Sequence, residues 1–480
     1  MRIVIIGAGE VGRHLARSLQ ADADLILIDS SAAAVSEAED CLDARALVGD
    51  GTHRSVLAEA EVHKAELVAA VTAIDSVNLV IAALAKSMGA AQVVARVDDP
   101  EFYVTSQGIE RQVLGIDAAV CASRLVGVEL LRRLAEIRAR QVIPCAAGFV
   151  HIASHVLGED SPLVDTGRAR GTSWPKSVRA VVRAGSLRPV HQVEHAEVGD
   201  VVLLAGSPLT VFEELLGRAL TPSSGTTETT IVGGGDVGVQ LARLLGPRHL
   251  LDRLIERDRA RCWALADQLD QVQILHGDGT NLAFLRDEHV GRADALLAVT
   301  GSDEANLMTS LLARELGVDH VFALVHRPGY AGVYSHLGVS GTVSPHETVV
   351  EVITWLLRSR EAALVGRAHL DGLPVEIVEL RLYEDGLKVA DLPLPTGSVA
   401  LLIAGAQLRE AKPRAVLSRE DHVIVAVPSG RVAKLERDLR RRARRAQGMA
   451  SLSSLTGGSI PSSSTGSSSG SGSGSGGDAE

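Results

Sequence analysis

Apolar positions along this chain follow two alternating periods. Ile3–Ile6, Leu25–Ile28, Leu67–Val71 and Val93–Val97 are short runs of the length and composition of buried strands. Between them lie segments with apolar residues at helical spacing. Strands that alternate with helices predict βαβ units and a parallel sheet. A longer amphipathic helix follows, with Val126, Leu130, Leu134 and Ile137 on one stripe. After it, Val150–Ala153, Val178–Val182 and Val201–Leu204 predict a smaller, β-rich region.

The pattern then repeats. Gly7-Ala8-Gly9-Glu10-Val11-Gly12 returns as Gly233-Gly234-Gly235-Asp236-Val237-Gly238, an offset of 226 residues. At an offset of 228, Gly49-Asp50-Gly51-Thr52 returns as Gly277-Asp278-Gly279-Thr280. Thr72, Asp75 and Asn78 pair in the same way with Thr300, Asp303 and Asn306. Such an ordered series marks a tandem duplication. The second copy has its own amphipathic helix, through Val349, Val352, Ile353 and Leu356, and its own late strands at Val375–Leu380, Val399–Ile403 and His422–Val427. A Thr/Ser-rich join, 221–229, separates the copies.

Composition narrows the class. Of the 480 residues 46% are apolar and only 2% aromatic, so the core must be built from Val, Leu, Ile and Ala. Those side chains suit parallel strands covered on both faces. Scarce aromatics leave few stacking platforms for bases, and a net charge of −11 opposes a phosphate-backbone binder. A redox-sensing DNA regulator is disfavoured on the same ground, and no helix-turn-helix segment is visible. Cys41, Cys121, Cys145 and Cys262 lie far apart, without metal-ligand spacing, as in a reducing cytosol. The chain starts on a strand, and its most hydrophobic stretch, 67–88, is broken by Asp75, Asn78 and Lys86. A soluble, cytoplasmic protein is expected. The last 30 residues contain 21 Gly or Ser and predict a disordered tail. Just before it, five of the six residues in Arg440–Arg445 are arginine: a solvated helix end, or a contact for anionic lipid or an acidic partner.

The repeated glycines have a chemical rationale. Each cluster follows a strand and opens a helix, the context in which a glycine loop holds a dinucleotide pyrophosphate on unpaired helix N–H groups. Gly7 serves the tight turn, Gly9 the close approach of backbone to phosphate, and Gly12 the packing of helix on strand. An acid about 20 residues on should hold the ribose hydroxyls. Asp29 and Glu256 fill that place. Glycine turns also persist in folds that have lost their ligand. Arg257 follows the second acid and Arg259 follows Asp258, and arginine suits a ribose phosphate, so the two sites can differ in preference. Asp50 and Asp278 either accept from adenine or ribose or close a polar turn. Thr72 and Thr300 end the fourth strand on the same edge, and Arg96 reaches toward phosphates from the fifth, where the second copy has Leu324. The histidines at 14, 53, 63, 276, 289 and 346 differ between copies and read as surface residues. No catalytic or metal-binding motif is visible.

Together, the duplicated glycine loops, Asp29 and Glu256, the GDGT turns and the AVTxxDxxN stretches resemble tandem RCK domains, and most closely the TrkA-type regulators of bacterial potassium uptake. Asp391–Gly397 and Glu420–Val425 are similar to the family's C-lobe pattern; Ser161–Val164 and Glu197–Val202 match more loosely. The resemblance covers about residues 1–437. It implies an α/β fold of two tandem Rossmann-like, doubly wound parallel-sheet lobes, each followed by a crossover helix and a small α+β C-lobe. The expected units are a first N-lobe (1–123), crossover helix (124–143) and C-lobe (144–220), then a linker (221–229). A second N-lobe (230–348), crossover helix (349–364) and C-lobe (365–437) follow, then a basic stretch and tail (438–480). It also implies a non-enzymatic, cytoplasmic regulatory subunit that binds NAD(H), or ATP or ADP, assembles as a tetrameric ring, and gates a membrane potassium-transport subunit from the inner face. The cofactor contacts expected in the first copy are Gly7, Ala8, Gly9, Glu10, Val11, Gly12, Asp29, Asp50, Gly51, Thr52, Thr72, Ala73 and Arg96. In the second they are Gly233, Gly234, Gly235, Asp236, Val237, Gly238, Glu256, Asp278, Gly279 and Thr300. The competing function is an NAD-dependent oxidoreductase acting on a small substrate.

Overall fold

The computed structural model describes residues 1–99, 115–164, 172–216, 220, 228–248, 250–251, 253–358, 364–382, 385–405, 407–419, 421–439 and 441–442. The Gly/Ser tail, most of Arg440–Arg445 and residues 221–227 of the join lie outside the described residues.

The first sheet is wholly parallel: β1 (Arg2–Ile6), β2 (Asp24–Asp29), β3 (Arg45–Val48), β4 (Leu67–Ala70), β5 (Val93–Arg96) and β6 (Ala118–Val120), in the order β3-β2-β1-β4-β5-β6. Successive residues of its apolar runs feed opposite cores. Ile3, Ile5, Leu25, Leu27 and Leu67 face one core, and Val4, Ile6, Ile26, Ile28 and Val68 face the other. A strand buried on both sides has no polar alternation, which is why these runs are continuous in sequence. The strand order reverses between β1 and β4, and a crevice forms beyond their carboxyl ends.

Helix Ala122–Glu136 leads into an antiparallel sheet of β7 (Gln141–Cys145), β8 (Val150–Val156), β9 (Val178–Arg183), β10 (Ser186–Pro189) and β11 (Val201–Gly206), ordered β10-β9-β11-β8-β7. The second repeat rebuilds both sheets. Its parallel sheet has β12 (Thr229–Val232), β13 (Arg253–Glu256), β14 (Gln273–His276), β15 (Ala295–Ala298), β16 (His320–Leu324) and β17 (Gly341–Val343), ordered β14-β13-β12-β15-β16-β17. β12 starts at Thr229, the last residue of the Thr/Ser-rich join. After helix Pro345–Arg358 come β18 (Leu364–His369), β19 (Val375–Arg381), β20 (Leu387–Lys388), β21 (Val399–Ala404), β22 (Leu408–Glu410), β23 (Val416–Leu417) and β24 (His422–Pro428). Their main sheet, β18-β19-β24-β21-β22, has the topology of the first antiparallel sheet, with β20 and β23 paired separately.

The two long helices exchange partners. Val126, Leu130 and Leu134 of Ala122–Glu136 share a core with Val239, Leu241 and Leu245 of the second repeat. Val349, Val352, Ile353 and Leu357 of Pro345–Arg358 pack with Leu15 and Leu19 of the first. Each buried aliphatic side chain contributes about 1.5–3 kcal/mol, so this exchange joins the halves firmly. The two antiparallel sheets share a further core, through Ile152 and Leu203 on one side and Ile377, Leu401 and Ile424 on the other. No helix among the described residues is long and apolar enough to cross a membrane.

Candidate functional site

Each glycine loop turns from the first strand of its parallel sheet into a helix at the switch point. Gly7 and Gly233 lie in the left-handed region, at φ +110° and +117°. A Cβ on Gly7 would also stand 2.9 Å from the Thr72 amide nitrogen, and one on Gly233 would stand 2.9 Å from that of Thr300. Gly12 and Gly238 sit so close to the preceding turn that a Cβ would overlap the carbonyl oxygens of Gly7 and Gly233. Beside Gly9 and Gly235, by contrast, a Cβ would meet nothing within 4 Å. These two glycines precede helices Glu10–Leu19 and Asp236–Leu245, and no side chain caps either helix. Their first N–H groups are therefore available to an anion. Glu10 and Asp236 are exposed there, Val11 is buried, and Val237 is half-buried. Arg13 holds Glu10 at 2.7 Å and Glu37 at 2.6 Å.

The acids stand where the spacing placed them. Asp29 ends β2 and accepts the Ala8 N–H at 2.7 Å and the Ser31 N–H at 2.8 Å, one on each oxygen. Glu256 ends β13 and accepts from Gly234 at 2.7 Å and Asp258 at 2.8 Å. A carboxylate oxygen accepts more than one hydrogen bond, so each acid is oriented by the backbone and keeps capacity for a hydroxyl.

In the GDGT turns, Asp50 Oδ1 accepts from both the backbone (2.8 Å) and the hydroxyl (2.7 Å) of Thr52, and Asp278 does the same with Thr280. These bonds hold both carboxyls below the usual carboxylate range. Gly51 and Gly279 are buried: a Cβ on Gly51 would come within 2.6 Å of Ile6, and one on Gly279 would overlap Val232. The turns join the acids through backbone, Gly49 N–H to Asp29 C=O at 2.8 Å and Gly277 N–H to Glu256 C=O at 2.9 Å. This geometry builds a polar turn around Oδ1 of each carboxylate.

Thr72 and Thr300 are fixed by an asparagine whose role the sequence did not reveal. Asn78, fully buried, accepts the Thr72 N–H at 2.9 Å and its hydroxyl at 2.8 Å, and donates at 3.0 Å to the carbonyls of Thr72 and Arg96. Asn306 makes the equivalent bonds to Thr300 and Leu324. The signal was present in the repeated Thr-x5-Asn spacing. Ala73, beyond Thr72, is exposed.

The remaining residues are placed differently. Arg96 is turned onto Asp98, with Nη2–Oδ2 at 2.6 Å. His346 is a half-buried interlobe residue, contrary to the surface reading, because helix Pro345–Arg358 docks on the first repeat. Burial, with Arg96 nearby, lowers its pKa, and Glu10, His326 and His14 also act on it. In the second copy Arg261, which the sequence reading passed over, donates to the Gly234 carbonyl at 2.9 Å.

The family described as the TrkA-N domain matches residues 3–122 and 229–345, the two segments that carry these loops. A Trk system potassium uptake protein TrkA homolog of Archaeoglobus fulgidus is 31% identical over 446 residues, which is 91% of this chain and 99% of that one. The Trk system potassium uptake protein TrkA of Azorhizobium caulinodans is 29% identical, covering 91% and 98%. Among solved structures, the GsuK RCK domain aligns with a TM-score of 0.55 at 18% identity, covering 92% of this chain and 95% of that one. The GsuK channel bound to NAD aligns at 0.54 and 21% identity, covering 92% and 79%. These structural alignments show a shared RCK fold. The first relative is similar along nearly its whole length, and the chain belongs to the TrkA family of Trk-system potassium uptake proteins.

Proposed function

We propose that this protein is the nucleotide-binding regulatory subunit of a Trk-type potassium uptake system, at the cytoplasmic face of the membrane. It gates a separate potassium-transporting subunit from a tetrameric ring. The observation that carries this reading is the open, uncapped helix N-terminus beside Gly9, next to a carboxylate already oriented by the loop. An anionic pyrophosphate suits the former and ribose hydroxyls the latter. NAD(H) is the ligand of the first lobe, and the channel of similar fold that binds NAD supports that choice. In the second lobe Arg257, Arg259 and Arg261 follow the acid, and a more highly phosphorylated adenine nucleotide suits it. Gating requires the ligand to favour one conformation of the ring over another, because equal affinity shifts nothing.

Isothermal titration with NAD+, NADH, ATP and ADP tests the assignment. Losing charge-assisted hydrogen bonds worth about 1.5–3 kcal/mol, Asp29→Ala should weaken NADH binding roughly 10- to 100-fold, and Glu256→Ala should leave it within about twofold. Unchanged binding in Asp29→Ala removes the first site as assigned. Potassium uptake by cells carrying Asp29→Ala as their sole copy should lose its nucleotide response at normal protein levels. NADH turnover would favour an oxidoreductase instead.

A further inference from the structure

A cavity of about 290 Å³ opens where the two long helices meet the edges of both antiparallel sheets, away from the glycine loops. Three carboxylates line it. Glu129, from the first helix, is answered by Arg132 at 2.5 Å and Arg133 at 3.2 Å. Glu351, from the second helix, has no ion pair or hydrogen bond among the described residues. It is solvent-exposed, so the cavity opens to water on that side. Glu379, on β19, spends one oxygen on the Ala146 N–H at 2.9 Å. Its other oxygen lies 2.8 Å from His422 Nδ1 without hydrogen-bond geometry. Among the described residues no lysine or arginine is paired with Glu351 or Glu379. The arginine on the rim, Arg367, is taken by Glu376 at 2.5 Å.

Among the described residues, two nitrogens in the lining lack partners. His151 is 1% exposed and its Nδ1 has no hydrogen bond. Burial, with Arg132 nearby, pushes its pKa down to about 3, so the ring is neutral and adds no positive charge. In the tautomer protonated at Nε2, its Nδ1 is an acceptor that needs a donor. The indole N–H of Trp355 is likewise buried and unpaired. An orphaned buried polar group costs about 1–3 kcal/mol, so these groups favour an occupant that satisfies them.

The walls decide what kind of cation fits. Leu125, Val352, Ile377 and the face of the Trp355 ring are apolar, and no three His, Cys, Asp or Glu among the described residues are grouped to hold a metal. A hydrated inorganic ion would lay its water shell on apolar surface. We propose that this cavity binds a small organic ammonium ion, its charge held by Glu351 and Glu379 and its carbon skeleton against Trp355, Val352 and Ile377. An indole face attracts an ammonium group, and an ammonium that carries an N–H also donates to His151 Nδ1. Such a ligand touches both long helices and both antiparallel sheets, the elements that join the two repeats.

Isothermal titration of the full chain with 1,4-diaminobutane, choline and succinate tests this. Saturable binding of at least one cation, with none of succinate, is expected. Diaminobutane alone would point to hydrogen bonding through His151 and the carboxylates, and choline alone to the Trp355 ring; both support the site. Glu351→Gln, on an exposed side chain, should fold normally, with Tm within about 2 °C of wild type, and should weaken cation binding at least about tenfold. Trp355→Phe, which keeps a ring, should bind more tightly than Trp355→Leu. The proposal is overturned if the wild type binds neither cation, if succinate binds as well as they do, or if folded Glu351→Gln keeps wild-type affinity.

Discussion

The two glycine-loop sites have the same backbone and distribute side-chain atoms differently. In the first, Ala8 donates to Asp29 over 2.7 Å; in the second, Gly234 donates to Glu256 over the same 2.7 Å. The longer acid fits because the loop residue has lost its methyl group: a Cβ on Gly234 would lie 2.9 Å from Glu256 Oε2. The packing behind the loop changes in step. Ala38 is buried under the first loop, and Leu265 fills the corresponding helix position in the second, 2.5 Å from where that Cβ would be. Volume removed from one residue reappears in its neighbours, and the hydrogen bond is preserved. What differs is the electrostatic setting. Arg96 and its partner Asp98 border the first site, where the second has buried Leu324 and His326, the latter 2.9 Å from Asp303. Arg261 lies across the second loop, where the first has Ala34. Under the proposed function, the shared backbone sets what both sites hold and the unshared side chains set what each prefers.

The backbone half of this comparison is tested most severely by Gly12→Ala and Gly238→Ala. Either methyl group overlaps a main-chain oxygen, which no rotamer change relieves. Each should destabilise the protein by roughly 3 kcal/mol or more in urea unfolding, at the upper end for overpacking. Each should abolish nucleotide binding in its own lobe. Effects that differ by more than about 1 kcal/mol between the two would mean that the loops are not equivalent in energy.

Asn78→Ala and Asn306→Ala probe the next layer. Each leaves a threonine N–H and a β5 or β16 carbonyl without a partner. With unsatisfied buried groups costing about 1–3 kcal/mol, a loss of about 2–3 kcal/mol is expected for each variant, equal in the two lobes. Nucleotide affinity should fall as well, because Thr72 and Thr300 face the crevice. A loss in only one lobe would break the symmetry.

Much of this was legible before the fold was known. Strands buried on both faces show as unbroken aliphatic runs, and glycines that forbid a Cβ recur at fixed spacing. Asp29 and Glu256 stand about 20 residues beyond the glycine loops, where the spacing puts the end of the second strand. The exchange of the long helices was not legible. An apolar stripe through Val349 and Ile353 shows that a surface is buried, but Leu15 and Leu241 offer equivalent docking sites and only tertiary packing chooses between them. The surroundings of His346 follow from that choice and were missed with it. The ion pair of Arg96 has a simpler origin. Asp98, two residues on, lies on the same side of an extended segment, and a partner that near competes with a distant phosphate.

The smallest expected effect tests the compensation itself. Gly234→Ala alone crowds Glu256 and Leu265, and should cost about 1–3 kcal/mol and weaken nucleotide binding in the second lobe. Leu265→Ala alone leaves a cavity and should cost about 2–5 kcal/mol. If the first lobe shows how the volumes balance, the new methyl group should be tolerated better once Leu265 and Glu256 have been shortened to match Ala38 and Asp29. In a double-mutant cycle, Gly234→Ala should cost about 1 kcal/mol less in the Leu265→Ala, Glu256→Asp background than in wild type. The cycle isolates the coupling from the larger cavity term, because both proteins compared within the Leu265→Ala, Glu256→Asp background carry that cavity and it cancels between them. A coupling energy of zero would mean that Ala8–Asp29 and Gly234–Glu256 reach the same distance independently, and the volume exchange would be coincidence.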